Sequence, residues 1–421
     1  MQARGVIEFV KSVARFAALI SVVGLSCATA AVAQSSSSPP MPLLASGHPV
    51  DWWFVFKLNT AAFPGCANDA QRQCLFGGNP QDYKFGQQYV FASSDNSNLA
   101  MGSDCAGDTT RDPIGATFDE VYNGSFYYVV WNDQFYNDPV IEGCSKERGS
   151  PRGHSKGMIA WDDTGAGFVL QVTTPSWPGS GSAAHARQGG NTLGCVGDDD
   201  VLVSQHFFAL KLTHEDLVKV LGALANSSVV TDPTDPQIVN NGGPEDVRTA
   251  VAMLSKESSS STVDKETLSS GVTLISKPSS LHVPPWQMVS AVLGGVPLRT
   301  ATWWASPKIP STSASSTIDC WDNVLGSPDA VEIATSGQWD GKSFGLTGGL
   351  GPDFNHAKLG VALSGGHPYS IFGDMNQQGA LSGNCGSSQN GRGGTFYVLE
   401  DATLANSISA LIKGDTAPVN Q

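Results

Sequence analysis

A chain of 421 residues with 40% hydrophobic and only 15% charged side chains can bury one large core or two smaller ones, which excludes an intrinsically disordered protein. Its formal net charge of −14 excludes a generic basic nucleic-acid-binding surface. That exclusion weakens for a protein that works at low pH, where many carboxylates are neutral.

The N-terminus reads as an address label. Arg4, Lys11 and Arg15 precede an apolar run over 16–25, and Ala31-Val32-Ala33 offers small residues for cleavage. This is the order of a secretory signal peptide over 1–33, which implies a secreted or periplasmic protein. No stretch reaches the roughly 20 apolar residues of a membrane span, so no stable membrane anchor is expected. In an oxidising compartment disulfides are the default for Cys66, Cys74, Cys105, Cys144, Cys195, Cys320 and Cys385. Their number is odd and no CxxC pair suggests zinc; Cys66–Cys74 and Cys105–Cys144 are merely the shortest pairings.

Residues 34–49 read as a Ser/Pro-rich linker. Folded structure is expected from residue 50, where Trp52-Trp53-Phe54-Val55-Phe56 reads as a buried strand. Trp52 and Trp53 either stack bases or pack in the core, and core packing is favoured. Further strands are predicted over 126–131, 156–161, 168–173 and 201–209. A helix is predicted over 213–224, with Thr213 as N-cap. The segment 226–270, rich in Asp, Pro, Asn, Gly and Ser, reads as a polar loop or insertion. Strands at 272–277, 300–304, 354–363, 369–372 and 394–399 follow, with helices near 286–293 and 402–412. Strands interspersed with helices make this a mixed α/β chain, with an N-terminal half over 50–225 and a C-terminal half over 271–421.

The two halves share one feature. Arg152-Gly153-His154-Ser155-Lys156-Gly157 stands in the first, and Asn355-His356-Ala357-Lys358-Leu359-Gly360 in the second. On a strand, residues i and i+2 share a face, so each His projects beside its Lys. Such a pair suits phosphate chemistry: the ammonium neutralises phosphoryl oxygens, and the imidazole serves as nucleophile or proton donor. Two facing pairs supply one His to attack phosphorus and one to protonate the leaving oxygen, with no metal or other cofactor required. A lone His-x-Lys is a common accident of composition, and the pattern alone does not decide. Asp198-Asp199-Asp200 reads as a solvated turn, and the other histidines show no zinc spacing.

Longer blocks carry a resemblance. Pro49 to Leu58 resembles the opening of mature deoxyribonuclease II proteins. The segment 152–157, with Asp162 after an apolar run, resembles that family's first catalytic motif. His356-Ala357-Lys358, then Gly373-Asp374-Met375-Asn376-Gln377 and Arg392-Gly393-Gly394-Thr395, resembles the second. The blocks stand in family order over nearly the whole mature chain.

The resemblance implies a phospholipase D-like pseudo-dimer of two α/β halves, each a sheet flanked by helices, sharing one active site. It implies a metal-independent acid endonuclease on DNA that forms a phosphohistidine and leaves 3′-phosphate and 5′-hydroxyl ends; some members are homodimers. His154 and His356 become the catalytic histidines, and Lys156 and Lys358 grip the phosphate. His154 is the expected nucleophile and His356 the acid, or the reverse. Asn376 is expected to donate to phosphate and Asp374 to orient a histidine, while Asp162 either joins the site or closes its strand. One departure concerns Thr173-Thr174-Pro175-Ser176, where the family often carries an amide; Ser176 is left as the hydrogen-bond donor. The competing readings are an RNA or phospholipid phosphodiesterase on the same scaffold, and an inactive binding relative.

Overall fold

The computed structural model describes residues 38–65, 88–103, 105–107, 109–122, 124–133, 153–175, 202–231, 238–364 and 366–419. The leader, Ser176, the Asp198 to Asp200 run and Cys66, Cys74, Cys144 and Cys195 lie outside them. Ordered pairing begins within the segment read as a linker: β1 (Leu43–Ala45) and β2 (His48–Pro49) form a short antiparallel ribbon. Leu43 is buried and its N–H donates to Thr117 Oγ1 at 3.0 Å, an apolar anchor that outweighs the surrounding Ser and Pro.

The first large sheet contains β3 (Trp52–Lys57), β4 (Tyr89–Ser93), β5 (Asn96–Met101), β6 (Tyr127–Asn132), β7 (Lys156–Trp161), β8 (Gly167–Val172), β9 (Gln205–Leu212) and β10 (Val239–Asn240). Its order is β10-β6-β7-β8-β9-β3-β4-β5, antiparallel throughout. Helix α1 (Pro113–Tyr122) follows β5, and α2 (His214–Asn226) follows β9. Every residue of β3, β7 and β8 is buried, so both faces of the sheet centre are covered. Trp52 and Trp53 therefore both lie in the core, and the Trp53 indole donates to Thr117 Oγ1 at 3.1 Å. Thr213 caps α2 through a reciprocal pair of hydrogen bonds with Asp216.

The polar segment 226–270 is more structured than a loop reading allows. It holds β10, α3 (Glu245–Met253) and β11 (Asp264–Thr267). Helix α3 buries only Val247 and Val251, one turn apart, so its composition hides a narrow apolar stripe. Strand β11 is a charged edge strand, which pairs through its backbone and needs little hydrophobicity.

The second sheet takes β11, then β12 (Thr273–Lys277), β13 (Leu298–Ala301), β14 (Val331–Ile333), β17 (Leu359–Ala362), β18 (Tyr369–Gly373) and β19 (Gly394–Glu400), with β15 (Ser336–Trp339) and β16 (Lys342–Gly345) set apart as a hairpin. Its order is β11-β12-β19-β18-β17-β13-β14, with β13 and β14 parallel. Helix α4 (Pro285–Val292) precedes β13, and α5 (Ala402–Leu411) follows β19.

The sheets repeat one plan. Strand order β6-β7-β8-β9-β3 in the first matches β13-β17-β18-β19-β12 in the second, and α1 and α2 correspond to α4 and α5. Both sheets belong to one compact unit from Pro39 onward. Phe54 and Phe208 meet Phe372 at ring-centroid distances of 4.8 and 4.3 Å, so the principal core spans both sheets. A disulfide joins Cys320 to Cys385, and Cys105 is bonded to a partner outside the described residues.

Gly157, directly after the first His-x-Lys, has no room for a side chain: a Cβ would sit 2.5 Å from the Trp131 ring and 2.6 Å from Leu170 O. Since one of those neighbours is backbone, Gly157→Ala is expected to destabilise the fold by about 1–3 kcal/mol, read as a lower urea midpoint. An unchanged midpoint would contradict the tight approach.

Candidate active site

Each His-x-Lys motif crosses from a loop into a strand. Lys156 opens β7, and Lys358 immediately precedes β17. The loops are hung from the opposite half. His154 N–H donates to Gly393 O at 2.7 Å, just before β19, and His356 N–H donates to Ser204 O at 2.7 Å, just before β9. Those acceptors occupy equivalent places in the repeat.

The rings follow the same reciprocity. His154 Nδ1 lies 2.7 Å from the main-chain oxygen of Asp374, which follows β18. His356 Nδ1 lies 2.6 Å from the main-chain oxygen of Thr173, which follows β8. A carbonyl oxygen can only accept, so both rings carry their proton on Nδ1. In the neutral form each Nε2 then keeps a lone pair.

All four motif side chains are nearly sealed, with relative exposures of 4% for His154, 2% for Lys156, 6% for His356 and 1% for Lys358. Burial pushes His154 well below the usual histidine range; Lys156, Arg392 and Lys358 add to this, and Asp133 opposes it. Burial also lowers His356, helped by Lys358, Lys156 and His154 and opposed by its hydrogen bond to Thr173. Each imidazole therefore feels the lysine of the other motif. The two pairs share one electrostatic field.

Asp133, just beyond β6, supplies the counter-charge. Its carboxylate takes Lys156 Nζ at 2.6 Å on one oxygen and Arg392 Nη2 at 2.7 Å on the other. Burial would raise this carboxyl, but Lys156 and then Arg392 hold it far below the usual carboxylate range. Arg392 also donates to Gly153 O at 3.2 Å. The Arg392 loop is pinned by buried Lys277, whose Nζ donates to the main-chain oxygens of Asn390 and Arg392 at 2.9 and 2.8 Å. Burial pushes that ammonium down to about 7.

Asp374 holds a histidine, but not with its carboxylate. The main-chain oxygen does so, while the carboxylate accepts from Gln171 Nε2 at 3.0 Å, Thr395 N at 2.8 Å and Thr395 Oγ1 at 2.7 Å. Burial raises this acid to about 6 against those hydrogen bonds. The network continues from Gln171 Oε1 to His206 Nε2 at 3.4 Å, and His206 Nδ1 accepts the Lys358 N–H at 3.1 Å. Asn376 is buried, with Nδ2 on Gln378 Oε1 at 2.9 Å and Oδ1 unmatched.

Asp162 does not reach this centre. It lies six residues beyond Lys156, roughly 20 Å along an extended strand, and its carboxylate takes the Thr164 and Ala166 N–H groups in the β7–β8 turn. It closes the strand. The altered segment at Thr173 matters less than its side chains suggest, since His356 is held by a main-chain carbonyl. Among the described residues no group of three or more His, Cys, Asp or Glu side chains is placed to hold a metal. His48, His214 and His367 form exposed pairs with Asp95, Asp246 and Glu400.

A mixed α/β chain that pools one His-x-Lys pair from each half of a repeated sheet, around a buried and cation-rich centre, defines a distinct class of protein. The deoxyribonuclease II family model matches residues 42–416, and the chain belongs to that family. It is 29% identical to deoxyribonuclease-2-alpha of Bos taurus over 161 residues, which cover 36% of this chain and 38% of the bovine protein. The counterparts from Sus scrofa and Rattus norvegicus are each 29% identical, over 159 and 157 residues. These alignments span 38–39% of the relatives' length.

Proposed function

We propose that this protein is an acid endonuclease that hydrolyses DNA phosphodiester bonds through a phosphohistidine, using side chains alone. The reciprocal Nδ1–carbonyl bonds carry the reading, because they leave an Nε2 lone pair on each of two histidines that both feel Lys156 and Lys358. In the first step the Nε2 lone pair of His154 attacks phosphorus, an N–P bond forms, and the P–O5′ bond breaks. His356 enters as imidazolium and gives its Nε2 proton to the departing O5′. Water then attacks phosphorus and breaks the N–P bond, and neutral His356 takes the water's proton. The products carry 3′-phosphate and 5′-hydroxyl ends. Lys156 and Lys358 neutralise the non-bridging oxygens throughout.

Electrostatics favour this assignment over its reverse. His154 becomes cationic once it bonds phosphorus, and the Asp133 carboxylate raises its tolerance for positive charge. Burial lowers His356, and Lys358, Lys156 and His154 add to it, so its imidazolium gives up a proton readily. The Cys320–Cys385 disulfide fits an oxidising compartment, and we assign export to the leader over 1–33.

Plasmid nicking at about pH 5 in EDTA tests the reading. Cleavage by wild type is expected to persist in chelator and to disappear in His154→Ala. Loss of wild-type cleavage in EDTA would sink the side-chain mechanism. An inert wild type would sink the nuclease, and RNA and phospholipid substrates then separate another phosphodiesterase from a binding relative.

The pH dependence has a fixed sign. Both histidines lie below the ordinary 6.5, so the acid is protonated only below that value, and kcat/KM falls as pH rises through the higher of the two. At lower pH the nucleophile is protonated and the rate falls again. A bell with both limbs below pH 6.5 is expected. A bound phosphodiester raises both histidines, so the kcat profile should lie to the alkaline side of it. A flat rate from about pH 4 to 8 would contradict the two-histidine scheme.

A further inference from the structure

The chain leaving β13 runs straight past His356. Trp303 meets the His356 ring edge-on at 4.8 Å between centroids and is itself part-exposed. Its indole makes no hydrogen bond among the described residues. A Cβ on Gly348 would come within 2.9 Å of the Trp303 ring, so backbone packs directly against that indole. Trp304 follows, with its N–H fixed to Ile309 O at 2.7 Å. Exposed Lys308 lies over the Trp304 ring at 4.2 Å, and among the described residues no carboxylate pairs with it.

This loop is rigidly held. Ile309 N donates to Gln377 O at 3.3 Å, Gly379 N to Pro307 O at 3.0 Å, and Gln378 Nε2 to Ser306 O at 3.0 Å. The segment that holds it begins three residues after Asp374, the residue that anchors His154. Aromatic planes and an uncommitted cation are thus fixed relative to both histidines.

We propose that Trp303, Trp304 and Lys308 form a nucleotide subsite beside His356, in which Trp303 stacks a base of a single or locally opened strand and Lys308 holds a neighbouring phosphate. The inference rests on the nuclease reading and names the substrate form that the same site takes. Part-exposed aromatics beside an unpaired cation are what single-strand recognition uses, because every base offers a π-face and every linkage a negative charge. On a chain of net charge −14, a lysine with no acidic partner among the described residues is a local exception to the surface's repulsion of phosphate. A quaternary ammonium headgroup fits poorly, because Lys308 already occupies the cation position over Trp304.

Binding is measured apart from turnover, using His154→Ala protein and a fluorescent single-stranded oligodeoxynucleotide, with a fully abasic strand of the same length as control. The intact strand is expected to bind about tenfold or more tightly than the abasic one. Adding Trp303→Leu should erase most of that ratio, and Trp303→Phe should retain it. Adding Lys308→Ala should reduce the slope of log Kd against log salt by about 0.7. Equal losses on both strands for Trp303→Leu, or an unchanged slope for Lys308→Ala, would overturn the subsite. Wild-type plasmid cleavage without the base-dependent ratio would overturn the subsite alone. The ratio without any wild-type cleavage would keep the subsite and overturn the nuclease.

Discussion

Alanine at His154 or His356 is expected to lower plasmid cleavage by at least about a thousandfold while the far-ultraviolet circular dichroism stays unchanged. Neither group has an understudy. Each Nε2 is set by a tautomer fixed from the opposite half, and the lysines beside them have no lone pair while charged. Removing one ring therefore ends the sequence of attack, protonation and hydrolysis, and the double variant should be little worse than either single one. Some loss of stability accompanies the change, since the abandoned carbonyl of Asp374 or Thr173 loses its donor, at about 1–3 kcal/mol. Initial rates at about pH 5 are thus to be read alongside an unfolding curve. A folded variant that keeps more than about a tenth of the wild-type rate would remove that histidine from the chemistry.

Asp133→Ala carries the largest expected cost in stability, about 3–5 kcal/mol, because it removes the buried carboxylate that Lys156 and Arg392 share. Both cations are largely buried, with side-chain exposures of 2% and 20%, so water cannot replace the carboxylate cheaply. Urea unfolding measures the effect, and adding Lys156→Met should return part of it, the coupling expected of direct partners. The pH behaviour follows from the depressed carboxyl. Its stabilisation is fully present above the ordinary carboxylate value and is lost only as pH falls through the depressed one. The cost should therefore be similar at about pH 5 and pH 7. A loss under about 1 kcal/mol would mean the network is solvated and unimportant.

How far the sequence disclosed this structure depends on what each residue answers to. Lys156–Trp161 was legible because a run buried on both faces is apolar throughout, and α2 was legible because Thr213 and Asp216 are local signals. Helix α3 and strand β11 were not, since two valines and a backbone ladder leave almost no trace in composition. The histidines and lysines were found through their spacing and through the family resemblance. Asp133 was missed because its partners lie 23 and 259 residues away and nothing around it forms a motif. Arg392 stood inside a recognised block without a role for the same reason. Long-range ion pairs become visible only in three dimensions. Asp374 taught a different lesson, since its family position suggested a carboxylate role while the histidine is held by its main chain.

The reciprocal suspension of the two motifs also works as an interlock. A half-folded chain, emerging with one sheet complete, holds an imidazole whose tautomer nothing fixes and whose companion has yet to arrive. On the proposed chemistry, cutting power is withheld until the second sheet docks and both carbonyls are in place. On that reading, a cell making such a protein would be spared its cutting activity during synthesis by the geometry of the fold itself.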